Sequence, residues 1–224
     1  MRTLSLYLSV AVLSSLFAGC GVQTAEQDQR FSIDGPVHRV VVTSDAGAVD
    51  IVGEAREGAQ LEAYSSYSRT APEITTQVSN GTLRVDVRCA SQARCSSDLT
   101  LWVPVQVDVD VETGAGPVSV SDVDGEVVAF TGAGSVDGVG LVSNRVVADT
   151  GSGPITLELL SPPSRLVART DAGPVDLVVP SQSYDLDLET RVGPVEVDGV
   201  WSDAQATGLI RASTGSGSVA VHGI

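Results

Sequence analysis

The chain contains no lysine. Its 13 basic residues are all arginine, set against 28 acidic ones, and the formal net charge is −15. That balance disfavours nucleic acid and anionic membrane surfaces as direct partners, because both are recognised through basic patches. Aromatic residues make up only 4% of the chain, although 42% of it is hydrophobic. The apolar mass is therefore Val, Leu, Ala and Ile, which suits many thin layers better than one large globular core. Helix signals are scarce. The stretch from Glu54 to Gly58 is the one segment that could be helical, and Gly53 and Gly58 bound it too closely for a stable helix. There are two histidines, His38 and His222, at opposite ends of the chain, and three cysteines. A structural zinc site needs four clustered soft ligands, so none is expected, and no other metal or cofactor is implied.

What is present is a short phrase repeated six times. Thr113-Gly-Ala-Gly116-Pro-Val118 returns at Thr131 to Val136, Thr150 to Ile155, Thr170 to Val175, Thr190 to Val195 and Thr214 to Val219. The second glycines fall at Gly116, Gly134, Gly153, Gly173, Gly193 and Gly217, in steps of 18, 19, 20, 20 and 24 residues. A drifting period near 20 with apolar alternation on either side predicts one strand-turn-strand unit per repeat. Stacking buries a face that one unit cannot bury alone. The expected fold is all-β: a right-handed single-stranded β-helix, or β-solenoid, with coils of about 20 residues, preceded by an antiparallel β segment. The recurring glycine marks backbone that a β-carbon would forbid. The threonines are expected to stack into a hydroxyl ladder between coils. The last coil, Val219 to Ile224, shows no polar cap and reads as an open edge.

The first 20 residues form a separate unit. Met1-Arg2 is followed by an apolar run to Phe17 and then Ala18-Gly19-Cys20. A charged start, an apolar centre and small residues before a cut make an export signal, and the run is too short to span a bilayer. These residues resemble the bacterial lipoprotein signal, with Phe17 standing where that motif usually has Leu. The resemblance implies that Cys20 is acylated and becomes the first residue of the mature chain, anchored in the bacterial envelope. Gly21, with no Asp at that position, resembles the outer-membrane-sorted type for a host with two membranes. Polar residues then suggest a flexible tether.

Between tether and repeats the chain reads as strands. Asn80-Gly81 between two alternating runs is a strong hairpin signal. Cys89 and Cys95 flank a short loop, and in an exported chain two such cysteines read as a disulfide clipping that hairpin. A redox pair stays open, although the spacing is not Cys-x-x-Cys. The resulting organisation is signal peptide 1–19, lipidated cysteine and tether 20–36, N-terminal β segment 37–111 and solenoid repeats 112–224.

The Thr-Gly-x-Gly-Pro-Val phrases, with Val103-Pro104 ahead of them, resemble the bacterial putative-adhesin family of β-strand repeats, related to auto-transporter adhesin heads. The resemblance implies a β-helix without established catalytic residues. Several fragments imitate chemistry. Val146-Val-Ala-Asp149-Thr150-Gly151-Ser152 looks like half of an aspartic protease, but the second Asp-Thr-Gly is absent and the fragment is one copy of the phrase. The glycine runs open no helix that could cradle a phosphate. Asp122-Val-Asp124-Gly125 lacks the further ligands of a calcium loop. Trp102 and Trp201 read as packing residues, with glycan contact the alternative if exposed.

These observations favour a lipid-anchored envelope or surface module that binds or scaffolds without catalysis, adhesin-like, with the membrane reached through Cys20 and a glycan or surface protein as ligand. The alternative is a β-helix enzyme or binding protein acting on extracellular polysaccharide, for which Asp108, Asp110, Asp122 and Asp124 are the nearest acids. The positions at which the copies differ just before the threonine (Glu112, Phe130, Asp149, Arg169, Glu189 and Ser213), together with the turn tips, are where specificity is expected.

Overall fold

A computed structural model describes residues 24–90 and 94–224. The signal peptide and Cys20 lie outside the described residues. The described chain is all-β and holds twenty strands and no helix. The first seven strands are β1 (Ala25–Ile33), β2 (Arg39–Ser44), β3 (Val49–Glu54), β4 (Ala59–Tyr67), β5 (Glu73–Ser79), β6 (Thr82–Arg88) and β7 (Cys95–Pro104). The next eight carry the first four phrases: β8 (Asp108–Thr113), β9 (Val118–Ser121), β10 (Val127–Thr131), β11 (Val136–Leu141), β12 (Arg145–Thr150), β13 (Ile155–Leu159), β14 (Arg165–Thr170) and β15 (Val175–Val179). The last five are β16 (Ser183–Thr190), β17 (Val195–Asp198), β18 (Trp201–Ser202), β19 (Leu209–Thr214) and β20 (Val219–Gly223).

The strands form two ten-stranded mixed sheets that are not closed on each other. Through the repeats each phrase is the corner between them. The strand before the threonine lies in one sheet and the strand after the second glycine lies in the other, and such a pair is called a rung below. Neighbouring rungs pair in parallel and in register, so that Thr131 lies beside both Thr113 and Thr150. Valine and leucine at alternate positions are buried between the sheets, while acids, arginines and serines face outward. This is why a sequence poor in aromatics folds: β-branched residues fit the pleat, and each inward Val or Leu contributes roughly 1.5–3 kcal/mol on burial.

The corner explains the phrase. Gly153 has φ of 146°, and a β-carbon there would overlap the carbonyl of Gly134 one rung away. Gly217 repeats this against Gly173. The threonines do not form a hydroxyl ladder among themselves. Instead five of the six reach the glycine carbonyl of the adjoining rung, as when Thr131 Oγ1 donates to Gly116 O at 2.9 Å, Thr150 to Gly134 O at 2.9 Å, and Thr170 to Gly153 O at 3.0 Å, whereas Thr113 donates to Ala115 O of its own phrase at 3.5 Å. A carbonyl at a corner has no strand partner on that side, so a hydroxyl satisfies it.

Rung order departs from chain order at both ends. The sheets run β1-β4-β7-β3-β9-β11-β13-β15-β20-β17 and β18-β16-β19-β14-β12-β10-β8-β2-β6-β5. The β2/β3 rung pairs in parallel with β8/β9, so the repeat stack begins near residue 39 and the segment before the repeats is largely parallel to it. Among the described residues the antiparallel pairings are β1–β4, β4–β7 and β5–β6. At the other end the sixth phrase, β19/β20, is inserted between the fourth and the fifth. The last coil is therefore interior, not the open edge expected from chain order. The exposed end is the fifth phrase, β16/β17.

Two further expectations need correction. The tether is not wholly irregular, because Ala25–Ile33 is an edge strand antiparallel to β4. Backbone pairing and the burial of Ile33 hold it despite its polar side chains. Cys89 and Cys95 are bonded, with Cα atoms 5.8 Å apart, but they do not clip a hairpin. β6 and β7 lie in different sheets, so the bond ties the crossover between them. The hairpin is β5–β6, where Asn80 and Gly81 both take positive φ, 50° and 72°, in a two-residue turn.

Candidate functional site

The displaced sixth rung builds an open concavity on the outer face of one sheet. Register places Thr43, Glu112, Phe130, Asp149, Arg169, Ser213 and Glu189 in one row across the outer face of one sheet. Apart from Thr43, which precedes Ser44, these are the variable positions before the threonines, now in spatial order. The next row, on the corner, runs Asp171, Gly215, Arg191. In chain order Arg169 would adjoin Glu189, and Asp171 would adjoin Arg191. The insertion puts the small residues Ser213 and Gly215 between them instead.

The result is a solvent-open notch of about 610 Å³, lined by Asp149, Arg169, Asp171, Glu189, Arg191, Ser213 and the threonines of three phrases. Its charged walls stand two strand spacings apart, about 10 Å. One wall is Arg169 with Asp171 and the other is Glu189 with Arg191, both on strand ends fixed by the corner bonds. Thr214 Oγ1 donates to Gly173 O at 2.8 Å, and Thr190 Oγ1 to Gly217 O at 2.9 Å, so the floor is held to both walls. Beside the notch Arg211 Nε donates to Asp187 Oδ2 at 2.6 Å, with both side chains partly exposed. Exposed pairs of this kind contribute little stability.

Asp149 sits at the inner rim. Burial pushes its carboxyl above the ordinary carboxylate range, Arg169 draws it down and Asp171 pushes it up. The arrangement presents two arginines, two carboxylates and one carboxyl of raised affinity for protons. Chemically it can hold a polar ligand bearing both hydroxyls and charge across a span of about 10 Å.

The remaining predicted residues are placed elsewhere. Thr113, Thr131, Thr150, Thr170 and Thr214 are buried and Thr190 is half-buried, and with Gly116, Gly134, Gly153, Gly173, Gly193 and Gly217 they line the corners. Asp108 accepts from the Glu126 backbone N–H at 3.0 Å, and Asp110 pairs with Arg39 at 3.0 Å. Asp122 occupies a turn at φ 57° and Asp124 is exposed on it, so these four acids do not converge on a cleft. Trp102 is half-buried on the opposite sheet, whereas Trp201 is 62% exposed near the open end. His222 Nε2 stands 3.8 Å from Asp176. Among the described residues, no group of three or more His, Cys, Asp or Glu is placed to hold a metal ion. Gly215, Asp171 and Arg191 escaped sequence reasoning as site residues, because nothing local announces that the sixth phrase inserts before the fifth.

No protein-family model matches the chain, and no curated protein matches it at a significant level. Among solved structures it is similar to a “putative cell adhesion protein” from Clostridium sporogenes, 12% identical with a TM-score of 0.46 over 90% of this chain and 100% of that one. A “putative adhesin” from Bacteroides fragilis is 8% identical, with a TM-score of 0.47 over 91% and 100%. A “Putative lipid binding protein” from Parabacteroides distasonis is 6% identical, with a TM-score of 0.26 over 88% and 96%. At this level the superpositions decide nothing about the function of this chain.

Proposed function

We propose that the protein is an exported, lipid-anchored β-solenoid that binds a polar ligand, of the glycan or cell-wall-fragment class, in the notch between Arg169/Asp171 and Glu189/Arg191. The observation that carries this reading is the notch itself: a concave, charged surface on corners pinned by side-chain hydrogen bonds, which lowers the ordering cost of binding. The in-register parallel stacking of phrases supports the solenoid, with the phrase as its corner. The Cys89–Cys95 bond fits an oxidising compartment, and the leader ending in Cys20 supports export and acylation. On this reading residues 1–19 are the signal, Cys20 begins the mature chain, and the module is an adhesin-like surface protein. A thermal-shift screen of the exported chain against glycans and cell-wall fragments tests it. A hit should be weakened about tenfold by Arg169→Ala or Arg191→Ala, as expected for loss of a charge-assisted contact. A hit insensitive to both would place the site elsewhere. Mass spectrometry of the mature N-terminus should find diacylglyceryl-Cys20, and an unmodified cysteine removes the anchor.

One observation favours the alternative of a polysaccharide-acting enzyme. Asp149 lies on the notch wall, where burial and the Asp171 carboxylate raise its proton affinity against the pull of Arg169, the direction in which a general acid is tuned. Cleavage of a bound glycan that Asp149→Asn abolishes without weakening binding would replace the binding reading with this one.

A further inference from the structure

The stack is unfinished at the β16/β17 end. After β17 the chain begins the next strand: β18 pairs with Ser183 and Tyr184 of β16. It then turns away, with the Asp203 carboxylate accepting from the Gln205 backbone N–H at 2.9 Å, and enters the interior as β19. The remainder of β16 and all of β17 are left without an outer neighbour among the described residues. Corresponding inward positions on interior rungs are buried, with Ile155, Val175 and Val219 at 0% exposure. On β17 Val195 is 45% and Val197 46% exposed. Val219 N donates to Pro194 O, so a parallel ladder turns the backbone N–H and C=O of Val195 and Val197 outward, free to bond. A bare apolar edge of this kind is normally blunted.

Charge decides what fits there. The outward residues Glu196 and Asp198 lie beside Ala220 and His222, so no arginine faces them. On β16 only Asp187 has an ion-pair partner among the described residues. A second copy of this chain is a poor occupant. Antiparallel pairing of β17 with itself opposes acid to acid, and the far edges β1 and β5 carry Glu26, Asp28 and Glu73 with one arginine, already paired to Glu62. Residues 1–23 bring only Arg2. We propose that β17 is the docking edge for an extended segment of a different protein, one that alternates apolar and basic residues and adds as the next strand. Its apolar side chains cover Val195 and Val197, its arginines or lysines meet Glu196 and Asp198, and its backbone bonds the free groups of β17.

The inference is independent of the notch, and its test uses a defined probe. A synthetic peptide alternating valine and arginine is titrated into the exported chain by calorimetry, with hydrogen exchange locating protection. Binding that weakens with salt and protects residues 195–198 is expected. Val197→Pro removes only an edge-facing N–H, so it leaves the fold intact and should reduce affinity about tenfold. Glu196→Arg with Asp198→Arg should reduce it further and transfer preference to a valine–glutamate peptide. No binding of the valine–arginine peptide, binding unchanged in both variants, or protection away from β17 overturns the proposal. Concentration-dependent self-association lost in Val197→Pro overturns it in favour of a second copy.

Discussion

The two ends of the stack solve the same problem differently. At the first end the chain doubles back. β4 and β1 add antiparallel to one sheet, β5 adds through a two-residue turn to the other, and Cys89–Cys95 ties the crossover behind them. The inward positions of these last strands mix Gln27, Gln29 and Thr76 with Phe31, Ile33, Ile74 and Val78, so the edge is partly polar. At the second end the corresponding positions are Leu186, Leu188, Val195 and Val197, none of them fully buried, and the short β18 pairs only with Ser183 and Tyr184. One end has been finished with a local hairpin, two antiparallel strands and partly polar edges. The other keeps the composition of an interior rung while lying outside. The difference teaches that an edge is defined by what the neighbouring strand would need, and here both apolar cover and positive charge are missing.

The largest expected test of this contrast is a pair of truncations. Leu157→Ala removes a side chain buried between rungs and should cost about 3 kcal/mol in denaturant unfolding. Leu188→Ala at the open end should cost only about 1 kcal/mol, because its cavity opens to water. Equal costs would mean that the end is covered in solution. Next in size is the clip at the finished end. Replacing Cys89 and Cys95 with serine frees a short loop and should cost about 2 kcal/mol. Faster hydrogen exchange should be confined to β4 to β7, and loosening of β16 and β17 as well would show that the two ends are coupled.

The smallest effect is electrostatic and belongs to the notch beside the open end. Folding raises the carboxyl of Asp149 above its ordinary value of 3.8, chiefly through burial. The folded chain therefore binds more protons than the unfolded one between the ordinary and the raised value. This group costs stability above that window, and stability recovers as the pH falls through it. Asp149→Asn should be slightly more stable than the parent at neutral pH, and the gain should shrink towards pH 4. A variant less stable at neutral pH would mean that Arg169 dominates the site.

Much of this was legible in residue order. The period near 20 and the alternation around each corner place almost every strand, and the Asn80-Gly81 hairpin and the cysteine pair follow from turn chemistry and compartment. The row Glu112, Phe130, Asp149, Arg169, Ser213 and Glu189 was legible as a set, since each residue stands just before a threonine, but not as an order. Sequence repeats with one period look alike to their neighbours, so nothing in a phrase says which other phrase it will lie beside. The 24-residue step before Gly217 is the only trace, because the added length carries the chain through β18 and back under the fifth rung.

By itself, then, the sequence determined the strands, the corners and the inward and outward faces, because these depend on period, on β-carbon sterics at positive φ and on hydrophobicity within a few residues. Tertiary structure alone decided the rung order. That order is a non-local choice among parallel pairings that the repeated phrase makes nearly equivalent. The notch and the bare edge of β17 both arise from that choice.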